Sequence, residues 1–139
     1  MITTTSKYAL RALVRMATLP KDDLIGGKDL SEQMTIPANY LSKVMLTLRN
    51  AGLVEATRGC GGGYRLQTRP RDIRLIDVVE LFEGVFTRPL CFLGENHVCS
   101  DETPCAAHDR FKSARAAYIT FLEKTSIAML AKQAAELEC

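Results

Sequence analysis

The fold is decided by residues 28–66, KDLSEQMTIPANYLSKVMLTLRNAGLVEATRGCGGGYRL. Apolar residues recur at helical spacing within residues 37–50, and Gly52 stands where a left-handed residue commonly ends a helix. A shorter helix is predicted over residues 28–34, directly before this one. Two short helices joined by a tight turn are typical of a helix-turn-helix.

A β-hairpin is predicted directly after these helices. Residues 53–56 and 64–66 are its strands, and four of the six residues in the turn Arg58-Gly59-Cys60-Gly61-Gly62-Gly63 are glycine. Glycine lets the tip of such a turn approach another molecule closely. Arg58 and Arg65 bring positive charge to this tip, which suits the narrow minor groove of DNA. The hairpin is therefore interpreted as the wing of a winged helix-turn-helix.

Further helices are predicted around this unit. One covers residues 5–19 and ends before a proline, and another covers residues 73–82 and ends at Gly84. A long helix begins at His108. Thr125-Ser126 is expected to interrupt it and to cap a short terminal helix.

The expected fold class is mainly α with a small β-hairpin: a winged helix-turn-helix plus a long C-terminal dimerisation helix. We expect a DNA-binding domain in residues 1–84, a cysteine-rich cluster-binding loop in 85–107, and the dimerisation helix with the short terminal helix in 108–139. The dimerisation role depends on an apolar seam in which residues are spaced by three and four: Phe111, Ala114, Tyr118 and Phe121.

The outward face of the second short helix carries candidate DNA-contacting residues. Polar side chains on such a face can contact base edges in the major groove. A solvated helix face would look the same, so it is the combination with the arginine-bearing hairpin that favours DNA binding. The candidate contacts are Asn39, Tyr40, Ser42 and Lys43 on the helix, and Arg58, Gly61, Gly62 and Arg65 on the hairpin.

Three cysteines in one short loop form a candidate metal site with a nearby histidine. They are Cys91, Cys99 and Cys105, and His108 follows at the start of the long helix. Thiolates bind soft or borderline metals, and imidazole can supply a fourth ligand. His97 is a rival ligand, ranked below His108 because His108 lies one helical turn from Cys105. These ligand types alone do not separate zinc from an iron–sulfur cluster.

The composition sets limits on compartment and partners. The 139-residue chain has a net charge of +2 and no apolar run long enough for a membrane span. Its N-terminus lacks the pattern of a signal peptide, so we expect a cytoplasmic protein. Cytosolic thiols stay reduced, which favours metal binding over disulfides for the clustered cysteines. Cys60 and Cys139 lie apart from them and are expected to be free thiols.

Taken together, these residues resemble the family of winged-helix regulators that includes IscR, NsrR and RirA. The resemblance covers essentially the whole chain. It rests on the triple-cysteine loop and on four motifs: SKYALRAL at 6–13, NYL at 39–41, GLVE at 52–55 and RGCGGGYRL at 58–66.

The resemblance implies a transcription regulator and not an enzyme. It implies a homodimer, built by the long helix, that represses by binding a palindromic operator in double-stranded promoter DNA. It also implies one iron–sulfur cluster per subunit, a 2Fe–2S cluster in preference to a 4Fe–4S cluster, through which iron, redox state or nitric oxide is sensed. The cysteine trio and a histidine at the position of His108 would be its ligands.

The sequence departs from this family at several positions. Lys7 lies near the position where some nitric-oxide sensors place a cluster-ligating aspartate. Ser42 stands where IscR has a glutamate, so the operator preference of IscR does not carry over, and Cys60 replaces a proline of the IscR wing. The interval between Cys91 and Cys99 is longer than in IscR, which leaves the cluster type open.

Two other interpretations remain open from the sequence. The first is a winged-helix regulator that uses zinc, or direct cysteine oxidation, without a cluster. The second is a cluster-carrying enzyme or electron-transfer protein. The second is disfavoured because the sequence offers no Ser/His/Asp set, no paired carboxylates with a reason to meet and no dinucleotide fingerprint.

Overall fold

The computed structural model describes residues 2–84, 91–94 and 99–138. Within them lie six helices and one two-stranded antiparallel hairpin, with a short 3-10 helix at Pro70–Asp72. In chain order the elements are α1 (Thr4–Ala17), α2 (Gly27–Met34), α3 (Ala38–Asn50), β1 (Val54–Thr57), β2 (Gly63–Leu66), α4 (Leu75–Glu83), α5 (His108–Lys124) and α6 (Ile127–Glu138). The mainly α class with one small hairpin is confirmed.

The turn between α2 and α3 is fixed by local contacts. Thr35 adopts the left-handed conformation (φ 54°) that ends α2, and the Ser31 hydroxyl donates to the Ile36 carbonyl. Pro37 is the N-cap of α3 and not a residue of its first turn, and its carbonyl accepts the first helical bond, from the Leu41 N–H at 2.9 Å. The turn is three residues long, as a helix-turn-helix requires.

The hydrophobic core lies where α1, α3 and α4 meet. Each of these helices has an apolar face, and burial of those faces against one another stabilises the fold. On α1 the buried apolar residues include Ala9, Leu13 and Met16, at the i, i+4, i+7 spacing. Leu122 and Ile127 from the C-terminal helices belong to the same core.

The hairpin is attached to the body of the protein by an isolated β-bridge at Ile25. Val54 pairs with Leu66 and Thr57 with Gly63. Ile25 forms a bridge with Tyr64, in which both residues donate an N–H to the other's carbonyl, at 3.0 and 2.8 Å. A Cβ on Gly63 would lie 2.5 Å from the Ile25 carbonyl oxygen, so glycine is required there.

The start of α4 differs from the prediction. The helix begins at Leu75, two residues after the predicted Ile73, because Ile73 and Arg74 are extended and pair with the segment between α5 and α6. The Ile127 N–H donates to the Ile73 carbonyl at 2.8 Å, and the Leu75 N–H donates to the Thr125 carbonyl at 2.9 Å. This pairing attaches the C-terminal helices to the rest of the fold.

The predicted end of α4 and the predicted break between α5 and α6 are confirmed. Gly84 ends α4 in the left-handed conformation (φ 60°). The break between α5 and α6 lies at Thr125 and Ser126, where the Ser126 hydroxyl accepts from the Met129 N–H at 3.3 Å. Among the described residues, no helix has the length and apolar character to cross a membrane.

The long helix α5 buries little of its surface against the rest of the described chain. Leu122 is its only buried side chain. Tyr118 packs against the core, whereas Phe121 on the same seam is 51% exposed. A 17-residue helix spans about 25 Å, so most of α5 presents an open surface.

Candidate metal centre and nucleic-acid interface

The recognition helix α3 separates its faces as predicted. Leu41, Val44, Met45 and Leu48 are buried. On the opposite face Asn39, Ser42 and Lys43 are exposed, and neither the Asn39 side chain nor the Lys43 ammonium pairs with another described residue. The Ser42 hydroxyl donates to the Ala38 carbonyl at 3.0 Å, which leaves its oxygen to act as an acceptor.

Tyr40 extends this face toward α1. Its ring is 49% exposed and meets the ring of Tyr8 edge to face, with 6.1 Å between ring centroids and 62° between planes. Leu46, also exposed, adds an apolar contact surface on the same helix. The exposed face of α3 thus combines polar groups with two large apolar side chains.

The two arginines of the hairpin differ in position. Arg58 is exposed beside the turn and has no ion pair with any residue that the structure describes. Arg65 lies within β2 directly opposite Glu55 on β1, and the two form a cross-strand ion pair. Arg65 is therefore not at the tip as expected, because the strand register places it beside a carboxylate.

The turn itself depends on glycine backbone geometry. Gly59 and Gly61 have positive φ angles (97° and 76°), and the Gly62 N–H donates to the Gly59 carbonyl at 3.0 Å. A Cβ on Gly62 would lie 2.2 Å from the Thr57 carbonyl oxygen. Cys60, at the tip of this turn, is an exposed free thiol as predicted.

The three loop cysteines converge. The Sγ atoms of Cys91, Cys99 and Cys105 all lie within 4.8 Å of one another, and the Cys91 and Cys105 sulfurs are 3.8 Å apart. Cys105 is placed by the start of α5, since its carbonyl accepts from the His108 N–H at 3.0 Å. All three side chains are half-buried.

His108 lies beside these sulfurs and is contacted through both ring nitrogens. Its Nδ1 is 3.0 Å from the Cys99 Sγ, and its Nε2 is 2.8 Å from a carboxylate oxygen of Asp101. One helical turn later, the Lys112 ammonium donates to both oxygens of the same carboxylate, at 2.8 and 2.9 Å. Asp101 and Lys112 were not among the predicted site residues.

The local electrostatics distinguish the thiols. The pKa of Cys105 is lowered, chiefly because the backbone N–H of Ala107 donates to its sulfur. The Cys105 N–H, 3.3 Å from the Cys99 sulfur, acts to lower the pKa of Cys99, but burial and the neighbouring thiols outweigh it, so that this pKa is raised. The pKa of Asp101 is lowered to about 2, first by its hydrogen bond with His108 and then by Lys112.

This donor set fits a thiolate-rich metal centre. Three sulfurs and one imidazole nitrogen are the ligand types of zinc and iron–sulfur sites. Two thiolates bound to one tetrahedral metal at about 2.3 Å lie about 3.8 Å apart, which is the observed separation of the Cys91 and Cys105 sulfurs. His97 and Cys139 lie outside the described residues.

Comparison with known proteins decides the family. The sequence profile of the Rrf2 family, described as iron-dependent transcriptional regulator, matches residues 2–133. The chain belongs to the Rrf2 family. It is 33% identical to the HTH-type transcriptional regulator NsrR of Bacillus subtilis, over 94% of this chain and 90% of that protein. It is 30% identical to the regulator IscR of Aliivibrio salmonicida, over 93% of this chain and 76% of that protein.

Solved structures agree with this assignment. The fold resembles CymR, the global cysteine regulator of B. subtilis, with a TM-score of 0.78 and 26% identity, covering 96% of this chain and 97% of CymR. The fold also matches that of T. potens IscR, with a TM-score of 0.78 and 24% identity, covering 100% of this chain and 91% of that one. The protein is therefore an Rrf2-family transcriptional regulator of the winged-helix class and not an enzyme.

Proposed function

We propose that this Rrf2 protein is a homodimeric repressor whose affinity for a palindromic operator is set by an iron–sulfur cluster. The ligands would be Cys91, Cys99, Cys105 and His108. The observation that carries the proposal is the convergence of three cysteine sulfurs, with the His108 Nδ1 3.0 Å from one of them. The description of the family as iron-dependent supports the same conclusion.

Each part of the loop has a chemical role in this proposal. A bound cluster would supply an iron centre that reacts with small oxidants or nitric oxide and is lost when iron is scarce. The cysteines bind as thiolates, and the backbone N–H groups of Cys105 and Ala107 stabilise the negative charge on two of the sulfurs. His108 would be the exchangeable ligand, because imidazole is neutral and can be protonated and displaced. A 2Fe–2S cluster remains the preferred form.

DNA would be contacted by α3 and by the hairpin. The exposed face of α3 presents Asn39, Tyr40, Ser42 and Lys43 to the major groove. Arg58 and the glycine turn at Gly61 and Gly62 would approach the minor groove, and Arg65, paired with Glu55, would contribute less. Two such surfaces must lie about 34 Å apart to contact both halves of a palindrome.

The dimer would form through α5. Ala114 and Phe121 are exposed on this helix, and Phe111 on the same seam is half-buried beside the ring of Phe92. A symmetric homodimer is the commonest way to cover such a surface. In this arrangement, α5 sets the distance between the two recognition helices.

The coupling between metal and DNA would run through the loop. We propose that the regions 1–84, 85–107 and 108–139 act as DNA-binding domain, cluster-binding loop and dimerisation unit. A centre held by Cys91 and by Cys105 with His108 would fasten the loop after α4 to the start of α5. Loss of this fastening should change the spacing of the recognition helices. A change of 5- to 150-fold in operator affinity would be ordinary for such coupling.

Anaerobic purification with an absorption spectrum and with iron and sulfide analysis tests the cofactor. The wild-type protein should contain iron and sulfide, and Cys91→Ala should lose both. Cys60→Ala, an exposed cysteine of the hairpin, is the matched control and should retain them. Operator affinity is then measured for the holo protein, the apo protein and His108→Ala at one salt concentration, and equal values in all three would show that the centre is structural.

A second candidate is a regulator with a single zinc ion or with redox-active thiols. The 3.8 Å separation of the Cys91 and Cys105 sulfurs favours it, because two thiolates bound to one tetrahedral ion lie about that far apart. A solved relative, CymR of Staphylococcus aureus, is described in an oxidized form. A colourless protein with one equivalent of zinc would support this candidate and exclude the cluster.

A further inference from the structure

The two nitrogens of His108 face groups of different chemistry. Nδ1 faces the Cys99 sulfur and Nε2 faces the Asp101 carboxylate, 2.8 Å away. A neutral imidazole has one N–H donor and one acceptor nitrogen, and an ionised carboxylate only accepts hydrogen bonds. The proton of His108 must therefore lie on Nε2, which leaves the lone pair of Nδ1 directed toward the Cys99 sulfur.

We propose that Asp101 is the positioning residue of the metal centre: it holds His108 in the tautomer and orientation that make Nδ1 a ligand. This inference rests on the proposed metal centre. Metal-bound histidines commonly donate their second ring N–H to a carboxylate, which fixes the ring and increases its basicity. Asp101 acts through His108 and not as a ligand, since its carboxylate contacts Nε2, the ring nitrogen that does not face the Cys99 sulfur.

Lys112 completes this arrangement by holding the carboxylate. It lies four residues after His108 on α5, so both side chains are on the same face of the helix. The Asp101 side chain is 72% exposed, whereas the His108 side chain is 14% exposed. Burial therefore fixes His108 but not Asp101, and the two contacts with Lys112 are what orient the carboxylate. Because this ion pair is exposed, its loss should have a smaller effect than loss of Asp101 itself.

A carboxylate just before a helix could instead act only on the helix dipole. Such an acidic group stabilises the N-terminus of a helix wherever it lies within about one turn, without contact to a ring. Glu102 tests this distinction, because it is the adjacent exposed carboxylate, whereas the carboxylate on the His108 ring is that of Asp101. A dipole effect would be shared by Asp101 and Glu102, whereas positioning belongs to Asp101 alone.

The tautomer of His108 can be measured directly by ¹⁵N NMR on the reduced apo protein, with Asp101→Ala and the control Glu102→Ala. Wild type and Glu102→Ala should carry the proton on Nε2, and Asp101→Ala should give a mixture of tautomers. In the metal-loaded proteins, Asp101→Ala should lower metal affinity about 10- to 100-fold in a competition with a chelator, with a smaller loss for Lys112→Ala. Pulsed EPR of the reduced cluster should show an altered nitrogen coupling in Asp101→Ala.

The outcomes separate this inference from the proposed function. Identical tautomers and metal affinities in Asp101→Ala and Glu102→Ala would overturn the positioning role even if the wild type holds a cluster. A wild-type protein without iron and sulfide would overturn the proposed function. The NMR comparison on the apo protein would then still decide whether Asp101 positions the ring.

Discussion

The head of the molecule (residues 2–84) and its cysteine loop are held in place by different forces. The head buries apolar faces of three helices, and backbone pairing between Ile25 and Tyr64 ties the hairpin to it. In the loop, none of the described residues in 91–94 and 99–107 is buried. Its geometry depends on sulfur, imidazole and carboxylate contacts and on the ring contact of the exposed Phe92 with Phe111. The head should therefore fold without metal, whereas the loop without metal is held only by these contacts and should open more readily.

The largest effect is expected from damage to the core of the head. Leu13→Ala removes a fully buried side chain from α1 and should lower the free energy of unfolding by about 2–5 kcal/mol, with or without metal. Denaturant unfolding measures this. Leu46→Ala, an exposed position on α3, is the control and should change stability by about 0.5 kcal/mol or less. A Leu13→Ala loss that disappears in the apo protein would contradict the independence of the head.

Metal removal should affect the cysteine loop and not the head. Stripping the metal from the reduced protein should speed amide exchange in the loop and the first turn of α5, because no buried apolar contact holds the described loop residues. Exchange in α1 and α3 should stay slow. Hydrogen exchange with mass spectrometry of holo and apo protein checks this, with Cys60→Ala as a control that keeps its metal. An equal increase in amide exchange in the head and in the loop would show that the two regions form one cooperative unit.

The contrast between the head and the cysteine loop also bears on which parts of the structure the sequence could predict. Periodicity placed α1 and α3 within a residue or two, because each helix buries one face against the core. The Ile25–Tyr64 bridge and the pairing of Arg74 with Ser126 were missed, since both join segments distant in sequence that carry no local signal. These contacts follow from packing and not from local preference.

At the candidate metal centre, the sequence identified the ligand residues but not the residues that position them. Cysteine clustering selected the three sulfurs, yet nothing local placed Asp101 on Nε2 of His108. The spacing of His108 and Lys112 by four residues was an available signal for a shared helix face. The predicted strand 64–66 already contained Arg65, but its position opposite Glu55 followed only from the strand register.

A smaller effect on the fold, but a clear one on assembly, is expected from α5. Phe121→Glu places a charge on the open seam and should convert a dimer into monomers, because a buried unpaired charge in the interface costs several kcal/mol. Sedimentation with circular dichroism measures assembly and folding together. Thr120→Glu, an exposed neighbour of Phe121 on the same helix, is the control. A folded Phe121→Glu protein that stays dimeric would place the dimer interface elsewhere.

The smallest effect is expected at the hairpin, where the two arginines should contribute differently to operator binding. Arg58 has no ion pair with a described residue, whereas the charge of Arg65 is matched by Glu55 within the sheet. If Arg58 meets a phosphate or the minor groove, Arg58→Ala should weaken operator binding and lower the dependence of log affinity on log salt by about one unit. Arg65→Ala is the matched control and should change this slope less, because its guanidinium already pairs with a carboxylate. Titrations of both variants at several salt concentrations measure the difference. Equal slopes in Arg58→Ala and wild type, with the fold intact, would remove the hairpin from the DNA interface and leave α3 as the contact surface.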